Sequence, residues 1–171
     1  MRNFKLRPDL AIDFDGRKLF RIEAVCDIKE HNVKAGDLGG FVEKEENIGG
    51  NAWVRDNAKV YDIALVYGNA SICDDALVYD SAHIFGNARV CNNAKVFGNA
   101  RVCDKAMVRN NALVYGNAWV CDYSNVFGNA RVCDYTLVCD KAMVYGNASI
   151  CDYVVVSNDS HVYAQGSMRN D

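Results

Sequence analysis

The sequence has few of the features that point to a membrane protein or to a metal site. It contains one proline and three histidines, no run of 18 apolar residues and no Cys-x-x-Cys pair. A membrane-spanning helix needs about 20 consecutive apolar residues, so we expect no membrane span. Structural zinc sites commonly use closely spaced cysteine pairs, so we expect no metal site and no cofactor.

Net charge is also small. The 19 basic and 22 acidic residues leave a formal charge of -3, which does not favour direct nucleic-acid binding. Residues 1–20 contain no apolar segment after a basic start, so we expect no signal peptide. The eight cysteines are accordingly expected to be free thiols in the reducing cytoplasm.

What the sequence does contain is a six-residue repeat. Every sixth position from Val42 to Val162 is Val or Ile, and two residues before nearly every one is Ala. The order Ala88, Arg89, Val90, Cys91 alternates inward and outward, as in a short strand with one buried face. Gly, Asn and Asp follow, and these residues tolerate positive φ at a turn. Each repeat therefore predicts one strand and one corner.

The outward residues show how the repeats stack. An offset of 18 residues aligns one aromatic column, made of Tyr61, Tyr79, Phe97 and Tyr115. It also aligns Cys103, Cys121 and Cys139, and it pairs Cys73 with Cys91 and Cys133 with Cys151. Offsets of 12 or 24 mix residue types. Three strands per coil predict a triangular parallel β-solenoid of about seven coils, stacked about 4.8 Å apart.

This pattern resembles the hexapeptide-repeat left-handed β-helix proteins, over residues 41–165. The resemblance implies left-handed coiling. One departure is that the position after the aliphatic residue, often Gly in that group, is here Tyr, Phe, Cys or Arg. The lead-in Lys34–Glu43 is similar to the segment that precedes the repeats in phage, prophage and bacterial members of the group, which implies a bacterial cytoplasm and an origin in a phage or its host.

The two ends lie outside the repeat. Asp15-Gly16 between alternating runs predicts a β-hairpin, and we assign residues 1–40 to a cap over the first coil, whose edge and apolar end need cover. Residues 166–171 are expected to form a polar tail.

Catalysis is a possibility that the resemblance raises. Enzymes of the group are mostly acyltransferases in which trimers place a histidine between neighbouring prisms, and some are zinc enzymes using three histidines. His83 and His161 are predicted on different faces and more than four coils apart, so they cannot share a metal within one chain. Family enzymes also interrupt the coils with a loop, whereas this repeat is unbroken. We therefore expect surface histidines and no catalytic residue.

Asp104, Asp122 and Asp140 stack at the corners under the same offset. A calcium ladder is one interpretation of these carboxylates, and turn-forming aspartate is the other, favoured one.

One face carries an apolar stripe flanked by cations. Its predicted partner-binding residues are Tyr61, Tyr79, Phe97, Tyr115, Leu77, Leu113, Lys59 and Lys95. Such patches commonly mark interfaces, although aromatic columns also stabilise a sheet by stacking. Leu65, Trp119, Leu137 and Val155 form a second candidate face.

The expected function is a non-catalytic solenoid that binds a protein partner or a second copy of itself. A phage-encoded inhibitor of a host nucleic-acid-processing or defence complex is a special case of this hypothesis. The alternative is a trimeric acyltransferase.

Overall fold

Each six-residue repeat forms a two-residue strand followed by a turn. Ala100 and Val102 point inward and are fully buried, whereas Arg101 between them is exposed. The computed structural model describes residues 2–165. Their parallel strands stack into an all-β solenoid of about seven coils, with about 18 residues in each, as predicted. The left-handed sense of coiling remains a prediction from the resemblance.

Three sheets form the faces of the solenoid, and the strands are numbered in chain order. Face I contains β1 (Phe4–Phe14), β2 (Arg17–Ala24), β3 (Leu38–Val42), β5 (Lys59–Val60), β8 (Leu77–Val78), β11 (Lys95–Val96), β14 (Leu113–Val114), β17 (Arg131–Val132) and β20 (Ser149–Ile150). Face II contains β4 (Trp53–Val54), β7 (Ser71–Ile72), β10 (Arg89–Val90), β13 (Met107–Val108), β16 (Asn125–Val126), β19 (Met143–Gly146) and β22 (His161–Ala164). Face III contains β6 (Leu65–Val66), β9 (His83–Ile84), β12 (Arg101–Val102), β15 (Trp119–Val120), β18 (Leu137–Val138) and β21 (Val155–Val156).

Strand register confirms the 18-residue offset. Val96 of β11 pairs with Val114 of β14 on one side and with Val78 of β8 on the other. The backbone bonds continue through the corners, where Asn99 N donates to Gly116 O at 2.7 Å. Hydrogen bonds to the neighbouring coils therefore hold each coil in place, in addition to bonds within its own turns, such as that from Ala58 N to Arg55 O at 3.1 Å.

The corners adopt the backbone conformation that their residues favour. Asp104 has φ +59° and Gly98 has φ +68°, both in the left-handed region where Asp and Gly are tolerated. A Cβ atom added to Gly98 would lie 3.0 Å from the backbone N of Gly116 in the next coil. The close stacking of corners thus disfavours a side chain at this position.

The predicted N-terminal hairpin is present. Its turn, Asp15-Gly16, has φ +49° and +73°, and β2 pairs antiparallel with β3 at the edge of face I. Ile22 of β2 and Ile28 join the main core. Two 3-10 turns follow, at Lys29–His31 and Glu45–Asn47. The cap therefore covers both the sheet edge and the apolar end of the first coil.

The polar tail predicted at 166–171 lies outside the described residues. No helix in residues 2–165 is long and apolar enough to cross a membrane.

Candidate binding surfaces

The predicted aromatic column exists at the corner between faces I and III. Neighbouring rings of Tyr61, Tyr79, Phe97 and Tyr115 have centroids 5.0–5.1 Å apart and lie parallel within 4°. This spacing is the spacing of the coils, so each ring stacks on the ring in the next coil. The column therefore contributes to the stability of the solenoid as well as forming a surface.

The N-terminal hairpin covers one end of this column. Phe14 of β1 packs edge-on against Tyr61 at 5.8 Å, and Arg17 lies 5.3 Å from the same ring. Arg17 also forms an ion pair with Asp62, 2.6 Å from Nη2 to Oδ1. Tyr61 is only 5% exposed, and burial raises the pKa of its hydroxyl. Tyr61 therefore packs the cap against the coils and cannot contact a partner while the cap is in place.

Lys59 is likewise engaged by the cap, since its Nζ lies 4.9 Å from the centre of the Phe14 ring. Tyr79 packs against the same cluster. Elsewhere in the predicted stripe, Lys95 is exposed, whereas Leu77, Phe97, Leu113 and Tyr115 are half-buried. The accessible part of the stripe is thus narrower than the sequence indicated, and its role in binding stays a prediction.

The second predicted face has the more exposed apolar surface. Trp119, Leu137 and Val155 are register partners on β15, β18 and β21. Tyr135 and Tyr153 lie beside them at the corner that leads into face III, with centroids 4.8 Å apart. Val155 is 62% exposed and Tyr153 is 77% exposed. We name Trp119, Tyr135, Leu137, Tyr153 and Val155 the C-terminal patch.

Leu65, which the sequence placed on this face with them, does not belong to the C-terminal patch. His83 of β9 and Arg101 of β12 separate its strand from β15. The pattern of outward residues that follow each Val does not include Tyr135 and Tyr153, because both occupy corner positions. The same 18-residue offset, applied to the corners, identifies them.

The structure brings no two of the three histidines together. His83 is half-buried on face III, 6.5 Å from the Tyr67 ring centre. His161 is exposed on face II, 6.2 Å from Tyr145. His31 lies in the first 3-10 turn. Among residues 2–165, no cluster of potential metal ligands includes a histidine.

The cysteines stack as predicted, but not all of them are free. Cys133 and Cys151 form a disulfide with Cα atoms 4.7 Å apart, so the expectation of free thiols is wrong for this pair. The reason is the register, because side chains in the same slot of adjacent coils come within bridging distance. Cys73 and Cys91 also stack closely and have Asp74 beside them. Cys73, Asp74 and Cys91 are three potential ligands, whereas a structural zinc site has four.

The corner aspartates act in the turns. The backbone N of Asp140 donates to Asp122 Oδ2 at 3.1 Å, and that of Asn158 donates to Asp140 Oδ2 at 2.8 Å. Each carboxylate thus accepts a hydrogen bond from the next coil. These bonds support the interpretation of the aspartates as turn residues.

A scan against protein-family models found no match, and a search of curated proteins found none either.

Proposed function

We propose that this chain is a non-catalytic β-solenoid that binds a macromolecular partner through its flat faces. The observation that carries the proposal is the exposure of the C-terminal patch, in which aromatic and aliphatic side chains of adjacent coils form one surface. Tyr and Trp are enriched at protein interfaces, since they combine a large apolar area with a polar group. The register of rigid strands holds these side chains in fixed positions, which lowers the entropy cost of binding.

A second copy of the chain is the first partner to test. Light scattering of the wild-type protein would give its mass in solution, and Trp119→Glu and Val155→Glu would place a carboxylate in the C-terminal patch. If the patch mediates self-association, both variants become monomers while their melting curves stay close to that of the wild type. Ile63→Glu is the matched control, because Ile63 is 62% exposed at the same corner as Tyr153, five coils away.

A protein of another kind is the second partner to test. If the wild type is a monomer, the same variants are compared in pull-downs from the source cell. A partner retained by Ile63→Glu and lost with Trp119→Glu and Val155→Glu supports the proposal. The role of the patch would be contradicted if the patch variants bound the partner, or formed the oligomer, as strongly as the wild type. Loss of binding with Tyr79→Glu alone would assign binding to the aromatic column.

An inhibitor encoded by a phage, acting on a host nucleic-acid-processing or defence complex, is a special case of this proposal. The similarity of Lys34–Glu43 to phage proteins is its support. The pull-down tests it, because the captured partner would then belong to such a complex.

The trimeric acyltransferase remains the alternative. It requires a trimer by light scattering, binding of an acyl-CoA, and loss of activity with His83→Ala or His161→Ala. No observation on these two histidines favours it over the binding protein.

A further inference from the structure

A cavity of about 390 Å³ lies on face II near the N-terminal end of the solenoid. The 3-10 turn Lys29–His31 forms one wall, and outward side chains of the first coils form the other. Its volume falls in the range of small-molecule sites, about 300–1,000 Å³. It lies on a different face from the C-terminal patch and at the other end of the coils.

Cationic side chains dominate this cavity. Arg55 follows β4 in the corner slot, Arg89 points outward from β10, and Lys29 comes from the turn. Glu30 is the one carboxylate among the lining residues. The ion pairs within residues 2–165 involve none of the three cations. Glu30 thus offsets part of the positive charge without pairing directly with any of the three cations.

Two buried nitrogen atoms of the cavity residues also lack hydrogen-bond partners. These are Arg55 Nε and His31 Nε2. Arg55 is held in position by a bond from Nη2 to the backbone O of His31 at 3.3 Å. A buried guanidinium N–H without an acceptor is costly, and an oxygen-rich anion supplies that acceptor.

His31 is half-buried beside these cations. Burial, and then the charge of Arg55, lower the pKa of its imidazole. A backbone hydrogen bond at Asn51 and the charge of Glu30 act in the opposite direction, and Arg89 makes the smallest contribution, which lowers the pKa. Arg55, which follows β4, and Arg89 of β10 thus line the cavity together with His31 of the opposing turn.

We propose that this cavity binds a small phosphate-bearing anion. Arg55 and Arg89 would supply the charged donors, since a guanidinium matches phosphate geometry. The Ser71 hydroxyl and asparagine amides of the lining supply neutral donors. This ligand fits better than a nucleic-acid strand, because the Lys29–His31 turn walls the site on one side. The proposal is independent of the partner-binding function and rests on different residues.

The first experiment titrates the full-length protein with inorganic phosphate and follows the histidine ring signals by NMR at several pH values. A bound anion stabilises the imidazolium, so the pKa of His31 should rise and its signals should shift saturably. His83 and His161 are internal controls that should not shift with it. Equal shifts of all three histidines, or no saturable shift of His31 at about 10 mM phosphate, would overturn the proposal.

Variants then test the two arginines by calorimetry. Arg89→Gln should weaken phosphate binding about 10- to 100-fold, because a charged hydrogen bond is lost. Arg89→Lys should retain part of the affinity, since it keeps the charge. Arg55→Gln should act like Arg89→Gln, but it also removes the bond to the turn, so Arg89→Gln is the decisive variant. Arg131→Gln, an exposed arginine on face I, is the matched control. Equal affinity in Arg89→Gln and Arg131→Gln contradicts the assignment.

Further ligands identify the source of the phosphate. Pyrophosphate, a nucleoside monophosphate and vesicles containing a phosphoinositide are compared with inorganic phosphate on the same variants. If one of these ligands binds more tightly than inorganic phosphate and this preference is lost in Arg89→Gln, the result supports the site and identifies its ligand class. Binding of a single-stranded oligonucleotide without binding of any small phosphate would replace the proposal with a nucleic-acid surface.

Discussion

Cys73 and Cys91 occupy the same corner slot in adjacent coils, after β7 and β10. A hydrogen bond from Cys73 lowers the pKa of the Cys91 thiol, assisted by the charges of Arg89 and Arg109, although burial and Asp74 oppose it. A thiol with a lowered pKa carries more of the reactive thiolate at pH 7 than an ordinary thiol does. The pair therefore differs chemically from the other stacked cysteines.

We expect Cys91 to be alkylated faster by iodoacetamide at pH 7 than Cys121, which is also half-buried. Burial raises the pKa of the Cys121 thiol, so its reactive thiolate is scarce at that pH. The difference should be about tenfold or more, since each pKa unit changes the thiolate fraction about tenfold. Peptide mass spectrometry after timed labelling measures both rates.

Cys73→Ala provides the control for this prediction. It removes the hydrogen bond to Cys91 and should move the half-maximal labelling rate of Cys91 to higher pH than in the wild type. An unchanged pH profile would mean that the neighbouring thiol does not set the reactivity.

Single residues also show which contacts could not be predicted from the sequence. The slot of Tyr61 in the aromatic column followed from the 18-residue offset. Its burial did not, because the residue that covers it, Phe14, lies far away in the chain and outside the repeat. Nothing in the repeat pattern singles out Arg55, because its slot holds Tyr, Phe, Cys or Arg in different repeats. Its position opposite His31 depends on how the Lys29–His31 turn folds back, which no periodicity encodes.

The corners repeat the same left-handed backbone conformation in successive coils. Asp140 has φ +58°, accepts a hydrogen bond from Asn158 N and donates its own N–H to Asp122. The same side chain thus satisfies a backbone group in the next coil and tolerates the left-handed conformation. This dual role explains why Asp and Asn recur at corners where Gly is absent.

Asp140→Ala should lower the free energy of unfolding by about 1–3 kcal/mol, since it loses a hydrogen bond and places Ala in the left-handed region. Urea denaturation measures the change. Asp140→Asn is the matched control, because Asn tolerates this φ and keeps an acceptor oxygen; it should stay within about 0.5 kcal/mol of the wild type. An Asp140→Ala variant as stable as the wild type would show that this carboxylate contributes nothing to the corner.

Strands and corners could be predicted because their causes are local. The alternation of Ala88 to Cys91 identifies the buried face, and the corner residues identify the turns. The position of the hairpin was predicted only as a cap, whereas β2 continues face I and the hairpin tip also packs onto the aromatic column. That contact joins surfaces from two parts of the chain with unrelated patterns, so it needed the folded structure.

At the scale of the whole molecule, the two proposed sites are separate. Arg55 and Arg89 lie in the first coils on face II, whereas Trp119 and Val155 lie in the last coils on face III. Each coil of a solenoid contacts only its neighbours, so a ligand at one site does not touch the other. Failure of phosphate binding would leave the partner-binding proposal intact, and the reverse also holds.

The same neighbour-to-neighbour arrangement makes the middle of the rod critical for folding. Val102 in β12 is fully buried, and its strand pairs with β9 on one side and β15 on the other. Val102→Asp would bury a carboxylate with no partner, at a cost of more than about 5 kcal/mol. That cost is comparable to the whole stability of a typical domain, about 5–15 kcal/mol.

We therefore expect Val102→Asp to lose the cooperative melting transition by circular dichroism. Arg101→Asp, one residue earlier and exposed, places the same carboxylate on the outer surface and should melt within a few degrees of the wild type. Because both halves of the rod depend on stacking across this coil, the loss should include the N-terminal cap as well as the repeats. A Val102→Asp variant that melts like the wild type would overturn the assignment of Val102 to the inward face of the repeat. Unfolding of the C-terminal coils alone would show that the capped half folds independently.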